Sequence, residues 1–294
     1  MNRPPTARRL VVSGATGFLG RRFVDRERAL GNDVFRLVRD DSQAGDDPET
    51  VVIGSDESLV EAIVGVGANT VVHIAASGGV VSTVDQYSAI VRSNVTLGSL
   101  LMEAAAQSPD CAFVGIGSFS QRSVLNGDVA PSSFYAASKS ALESFAEYFC
   151  SERGLSATFL LPSDIYGPKD PRTRLLKLLA QAVNSDQPIG VTSGAQTISF
   201  VHVEDVCEAI AHVASFCRDV GLNRYGLTGP EIGSLRETVE RLARDLEIVI
   251  PVDWGIRNYR AGEVMVPDFL PAPPGWKSKR KINEGFLELL GEVV

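Results

Sequence analysis

Cysteine, histidine and tryptophan are scarce: the 294 residues hold four, three and two of them. Cys111, Cys150, Cys207 and Cys217 form no CxxC pair and sit inside apolar segments, which argues against a disulfide framework or a thiolate zinc site and for buried free thiols. His73, His202 and His212 share no metal-ligand spacing, so metal chemistry is not expected. An excess of positive charge is missing as well: 28 Lys and Arg against 36 Asp and Glu give a net charge of −8. That balance argues against nucleic-acid binding and against attraction to anionic lipid, and leaves any anionic ligand to local cations and backbone dipoles. Apolar runs are cut by Gly, Ser or charge well short of the roughly 20 residues a membrane span requires. Residues 1–5 lead through Arg8-Arg9 into a short strand-like stretch, not into a signal-peptide apolar region. The expectation is a globular, cytoplasmic protein.

What is present is apolar material for a sizeable core, 44% of residues, with 22% charged. At this length it makes one large domain or two coupled lobes. The first half alternates short β-branched runs with longer helical patterns, as βα units do when they build a parallel sheet with helices on both faces. Strands are expected at 9–12, 34–38, 51–53, 70–74, 112–116 and 157–161, and crossover helices at 18–30, 57–64, 87–106 and 134–152. The fold class is therefore α/β, with a doubly wound parallel sheet. After Pro162 the rhythm changes to a Pro/Gly/Asp turn, a basic helix over 172–183, a strand at 198–202, a helix at 204–216 and a last strand at 225–227. A capping box, Ser234-Leu235-Arg236-Glu237, opens a helix to Leu246. Residues 254–276 are rich in Pro and Gly without a clear period. The expected division is a first domain over 1–162 and a smaller, partly interleaved C-terminal lobe over 163–294, with 198–228 returning to the sheet.

Leu10-Val11-Val12-Ser13-Gly14-Ala15-Thr16-Gly17-Phe18-Leu19-Gly20 places three glycines, three residues apart, where a strand turns into a helix. In a dinucleotide-binding (Rossmann) fold Gly14 permits the tight turn, Gly17 lets the backbone approach a pyrophosphate and Gly20 allows close helix-to-strand packing. The second strand closes as Phe35-Arg36-Leu37-Val38-Arg39-Asp40, with Val38 where an acid would accept the ribose hydroxyl and Arg39 directly after it. That favours NADP (NADPH) over NAD; the alternative leaves Arg39 a solvated cation and gives the ribose to Asp40 or Asp41. Tyr135 and Lys139, four apart on an expected helix, share one face, which is either an ordinary amphipathic face or an acid/base pair. Bringing a phenol from its ordinary pKa of about 10 to near neutrality is worth roughly 4 kcal/mol, which a neighbouring cation helps supply. Ser118 follows the strand at 112–116, at the carboxyl edge where open α/β sheets bind ligands. Its hydroxyl either hydrogen-bonds a carbonyl under reduction or simply sits in a Gly-Ser turn.

Taken in order, Gly14-x-x-Gly17-x-x-Gly20, His73-Ile74-Ala75-Ala76, Asn94-Val95, Ser118, Tyr135-x-x-x-Lys139, Ile165-Tyr166-Gly167-Pro168 and Phe200-Val201-His202-Val203-Glu204-Asp205-Val206 resemble the extended short-chain dehydrogenase/reductases. That superfamily comprises nucleotide-sugar epimerases, dehydratases and ketoreductases, and the resemblance covers roughly residues 8 to 245. It implies Tyr135 as acid/base, Lys139 on the nicotinamide ribose, and Ser118 orienting the substrate carbonyl. It implies cofactor contacts from Gly14, Thr16, Gly17, Phe18, Leu19, Gly20 and Arg39, from the backbone of Ala75 and Ala76, from Asn94, and from Pro162 and Ile165 near the nicotinamide. Asn94 would also be the family's structural and proton-relay Asn. His202 and Asp205 would fix the return of the chain onto the sheet.

Sugar-nucleotide 4,6-dehydratases carry an Asp-Glu pair straight after the catalytic hydroxyl, and here Ser118-Phe119-Ser120-Gln121 stands instead. That stretch, Phe134-Tyr135-Ala136-Ala137-Ser138-Lys139 and the segment from Asp164 to Leu176 are similar to the abequose-synthase-like branch. Those enzymes are nucleotide-diphospho-deoxysugar 4-ketoreductases, in which NAD(P)H delivers hydride to a sugar C4 ketone and Tyr protonates the alkoxide. Asp164 stands where many relatives have a substrate-contacting Asn. Arg172 and Arg174 either hold the sugar-nucleotide pyrophosphate or form a solvated basic face. Phe119 and Gln121 would face the sugar, unless Gln121 caps a turn. Two other readings are an epimerase with tightly held NAD and an NADP-sensing regulator, the latter having no need of Tyr135 and Lys139. Relatives dimerise through the helices at 87–106 and 134–152, which implies a homodimer.

Overall fold

The computed structural model describes residues 8–43, 45–78, 83–185, 187–216, 219–260 and 262–292; Cys217, residues 1–5 and the side chain of Asp41 lie outside them. The chain runs β1 (Arg9–Ser13), α1 (Phe18–Ala29), β2 (Asp33–Val38), β3 (Thr50–Val52), α2 (Asp56–Val66), β4 (Thr70–His73), α3 (Val84–Val91), a π turn (Arg92–Thr96), α4 (Leu97–Gln107) and β5 (Ala112–Ile116). It continues through β6 (Ser123–Leu125), β7 (Asp128–Ala130), α5 (Phe134–Arg153), β8 (Ser156–Pro162), β9 (Asp164–Tyr166), α6 (Leu175–Ser185), β10 (Ile189–Gly190), β11 (Thr197–His202) and α7 (Val203–Phe216). The last elements are β12 (Gly221–Leu227), β13 (Ile232–Ser234), α8 (Leu235–Asp245), β14 (Val252–Asp253) and α9 (Ile282–Glu292). They form two compact units, one of Met1–Ser118, Phe134–Leu161 and Cys207–Tyr225, the other of Phe119–Ser133, Pro162–Val206 and Gly226–Val294. No described helix is long and apolar enough to cross a membrane.

The first unit carries a seven-stranded sheet in the order β3-β2-β1-β4-β5-β8-β12, parallel from β3 to β8. Strands covered on both faces read as unbroken apolar runs, and every residue of β5 and β8 is buried. The strand order reverses between β1 and β4, so the loops leaving these two strands open the crevice in which such sheets take ligands. The single helix expected at 87–106 is instead α3 and α4 joined by the π turn. Within it stands Asn94, fully buried. Its Nδ2 donates to the Ser77 carbonyl and to Ser138 Oγ, both at 2.9 Å, and its Oδ1 accepts from the Ser77 N–H at 2.8 Å. A buried amide in a helix interior is unfavourable without such partners, and single π turns occur mostly where a side chain has that kind of duty.

In the second unit β11 pairs with β9 in parallel and with β13 in antiparallel. Its core joins Tyr166, Leu176, Leu179, Phe200, Val239 and Phe286. The basic helix expected at 172–183 starts only at Leu175, because Asp170 accepts from the Arg172 backbone N–H (3.0 Å) and guanidinium (2.7 and 2.8 Å) and holds that stretch in a turn after Pro171. The capping box at Ser234 forms as the sequence indicates. The aperiodic stretch after Trp254 is not loose: the Val124 N–H donates to the Val266 carbonyl (2.9 Å), the Asp268 N–H donates to the Arg122 carbonyl (2.8 Å), and the side chains of Arg122 and Asp268 pair. Asp205, buried, anchors residues 278–280 through Ser278 Oγ (2.6 Å), two backbone N–H groups and the Arg280 guanidinium (2.6 Å). Burial alone would raise its pKa, but the Ser278 and Arg280 hydrogen bonds hold the carboxyl below the usual carboxylate range.

Candidate dinucleotide and proton-transfer site

At the end of β1 the backbone of Gly14 takes φ +72°, and a Cβ there would lie 2.5 Å from the Ala75 nitrogen. A Cβ on Gly20 would lie 2.0 Å from the Gly14 carbonyl oxygen, so no side chain fits at either position. Helix α1 then starts behind Gly17 with no side-chain cap and no acidic residue in its first turn. A helix N-terminus opening behind a closed glycine turn is the cradle a dinucleotide pyrophosphate requires. Thr16 and Gly17 are exposed at its mouth, Phe18 is half-buried and Leu19 is buried beneath. The Arg21 guanidinium braces the turn by donating to the Thr16 carbonyl at 3.3 Å.

The cations on and around β2 differ in what holds them. Arg28 and Arg36 both reach the carboxylate of Asp47 at 2.7 Å, and the Arg28 hydrogen bond holds that carboxyl below its ordinary pKa. Arg39 is exposed, and its backbone N–H donates to Gln43 Oε1 at 3.2 Å. Its guanidinium makes no hydrogen bond or ion pair among the described residues. Asp40, by contrast, accepts from the Ser42 hydroxyl.

The loop leaving β4 is pinned at several points. Ser13 Oγ accepts from the Ala75 N–H (3.3 Å) and shares a hydrogen bond with His73 Nδ1 (2.8 Å). Asn94 holds both backbone groups of Ser77. Beyond it, Gly78 lies against the ring of Tyr135, half-buried on α5. One helical turn on, Lys139 is 2% exposed; its Nζ donates to the Ile116 carbonyl at 2.8 Å and stands 6.0 Å from the centre of the Tyr135 ring. Burial brings the Lys139 pKa down to about 8, so the ammonium persists at neutral pH. Burial, and secondarily the Lys139 charge, pushes His73 down to about 3, so its imidazole is neutral; Nε2 is buried without a hydrogen-bond partner among the described residues. Ser118 stands two residues beyond the carbonyl that Lys139 grips.

In the second unit, Pro162 closes β8 and Ile165 pairs with Val201 on β11. Phe119 packs on Phe269, with ring centres 6.2 Å apart, and Gln121 is buried. Arg172 is committed to Asp170, whereas the Arg174 guanidinium makes no hydrogen bond or ion pair among the described residues, its backbone N–H donating to the Arg172 carbonyl at 3.0 Å. Burial raises the pKa of Asp164, and the charges acting on it are Arg174, Glu263, Arg172 and Arg260. Arg260 and Glu263, paired at 3.3 Å, were not among the expected site residues. Their only sequence signal is charge within a Pro- and Gly-rich stretch.

Residues 10–224 match the model of the NAD dependent epimerase/dehydratase family. The chain belongs to that family. It is 23% identical to CDP-abequose synthase of Yersinia pseudotuberculosis over 274 residues, which cover 89% of this chain and 92% of the relative. It is 32% identical to ceramide reductase of Caulobacter vibrioides (strain NA1000 / CB15N) over 219 residues, 71% of this chain and 61% of the relative. Among solved structures, MoeE5 in complex with UDP-glucuronic acid and NAD superposes with a TM-score of 0.77 at 25% identity, covering 96% of this chain and 98% of that one. The chain is thus an NAD(P)-dependent oxidoreductase of the extended short-chain dehydrogenase/reductase type.

Proposed function

We propose that the protein uses NADPH to reduce the C4 ketone of a nucleotide-diphospho-4-keto-6-deoxysugar. The observation that carries this reading is the Tyr135 and Lys139 pair, one helical turn apart, with the ammonium buried 6.0 Å from the phenol ring. A bound nicotinamide supplies the hydride. The Tyr135 hydroxyl gives its proton to the C4 oxygen, and Ser118 donates a hydrogen bond to the same oxygen. Lys139 favours the phenolate left behind. Phe119, rather than an acid, follows Ser118, which disfavours elimination of water. Asp164, Arg174 and Gln121 are the proposed substrate contacts; Arg172 contributes less, being neutralised by Asp170.

The test is to incubate protein and NADPH with a panel of 4-keto-6-deoxy sugar nucleotides and follow the loss of reduced-cofactor absorbance. A lipid ketone belongs in the panel, because one relative is named ceramide reductase. Consumption with a sugar nucleotide supports the reading; none with any of them removes it. NAD held in MoeE5 favours a second reading, an epimerase with retained NAD, which predicts cofactor copurifying with the protein. For the cofactor, Arg39→Ala is expected to weaken NADPH by roughly 1.5–3 kcal/mol, the worth of a charged hydrogen bond, and to leave NADH nearly unchanged. Equal losses in two titrations would remove the 2′-phosphate assignment.

We further read the protein as a cytoplasmic homodimer. Cys111, Cys150 and Cys207 are buried free thiols, as suits a reducing compartment. Tyr87 and Val91 on α3 and Phe134, Phe145 and Tyr148 on α5 are all exposed, and this face is suited to meeting its own copy across a two-fold axis. Light scattering giving a monomer mass would refute it.

A further inference from the structure

We propose that the backbone at Gly78 is the stop that sets the pose of the Tyr135 ring, making Gly78 a positioning residue for proton transfer. The inference rests on Tyr135 being the proton donor. Gly78 does not need its freedom for the backbone: its φ lies outside the left-handed region. What its missing side chain leaves room for is the phenol ring. A Cβ there would stand 3.0 Å from Tyr135 Cδ2 and 3.2 Å from Cε2, closer than ordinary van der Waals contact, so the ring would have to shift by a few tenths of an ångström.

The residue leading into the stop is held at both its backbone groups. Asn94 holds the N–H and carbonyl of Ser77, the residue before it. The same amide donates to Ser138 Oγ (2.9 Å), which in turn donates to the Tyr135 carbonyl (2.7 Å). The loop therefore reaches Tyr135 twice, through its ring at Gly78 and through its backbone by Asn94 and Ser138. At its other end the loop is tied to Ser13 and packs on Gly14, so the glycine turn and the phenol share one support. Among the described residues, Lys139 is a charged group close to the ring, with neutral His73 behind it. A displaced ring changes its distance to that ammonium and to any ketone it protonates.

The experiment is an ultraviolet difference titration of the tyrosinate band, taken for each protein against its own Tyr135→Phe counterpart so that only this phenol is read. In Gly78→Ala the midpoint is expected to shift by about 0.5 pH units or more. NADPH affinity should stay within about threefold, while kcat falls about tenfold at unchanged KM for the ketone. Gly65→Ala, at a helical glycine with open space around it, is the control and should alter none of these. An unmoved midpoint in a Gly78→Ala protein with wild-type melting temperature overturns the proposal. Should Gly78→Ala melt early, Ser138→Ala decides: breaking the backbone route must also shift the midpoint, and an unchanged one refutes the coupling. The titration needs no substrate, so it stands even if no sugar ketone is reduced, and failure of the functional reading is told apart from failure of this one.

Discussion

Tyr135→Phe is expected to lower turnover of the sugar ketone by about 10²–10⁴-fold, the usual worth of a positioned proton donor, and to leave NADPH affinity within a few fold. The variant removes one oxygen. The ring still rests on Gly78, and the Asn94 and Ser138 hydrogen bonds touch only backbone of that residue, so the cradle at Gly14 to Gly20 is not disturbed. The wild type should also show an alkaline limit set by Lys139. Burial disfavours its charged form, so the ammonium is lost as pH rises through about 8 rather than near 10.5, and the phenolate loses its neighbouring charge there. Single-turnover rates with NADPH in excess, measured across this range for both proteins, separate the two effects. Turnover in Tyr135→Phe comparable with wild type would assign proton donation to another group.

The first unit was legible because its strands are covered on both faces, and such strands announce themselves as short apolar runs ended by Gly or Ser. The expected strands at 9–12, 34–38 and 112–116 fall within a residue of β1, β2 and β5. Tyr135 and Lys139 were readable for a related reason, since one helix carries both. That Lys139 is buried was not readable, because it depends on α5 lying against the end of β5. Periodicity cannot register the one extra residue of a π turn, so 87–106 read as one helix although Asn94 is out of place in a helix interior. The hairpin of β6 and β7 had its signal in Asn126-Gly127, whose φ values of 53° and 89° suit a two-residue turn. Strands of three residues, however, are too short to show alternation. Arg260 and Glu263 act on Asp164 from about a hundred residues away along an aperiodic segment, and no local pattern encodes such a pairing.

The sharpest effect on stability is expected from His73 in mild acid. Unfolded, its imidazole takes a proton near pH 6.5; folded, it resists until about 3, first because it is buried and then because the Lys139 ammonium opposes a second charge. Between those values the unfolded state binds the extra proton, so stability falls as pH falls, by up to about 1.4 kcal/mol per pH unit and roughly 4–5 kcal/mol in all at pH 3. His202 is also held below its ordinary value, mainly by burial, and adds to the same slope, so the wild type alone does not isolate His73. His73→Asn does. It keeps an amide oxygen near Nδ1 to accept from Ser13, gives up the unpartnered Nε2, and removes the titration. The variant should be less stable than wild type at pH 7, through the space left beside Phe113, by about 1–3 kcal/mol. Its stability should then decline less steeply on acidification, so the two urea-unfolding free energies converge between pH 6.5 and 5, a window above most carboxylate titration. Parallel curves would mean that His73 takes up its proton at the same pH folded as unfolded, and the buried imidazole would then become a cation beside Lys139 in mild acid rather than the neutral neighbour this site requires.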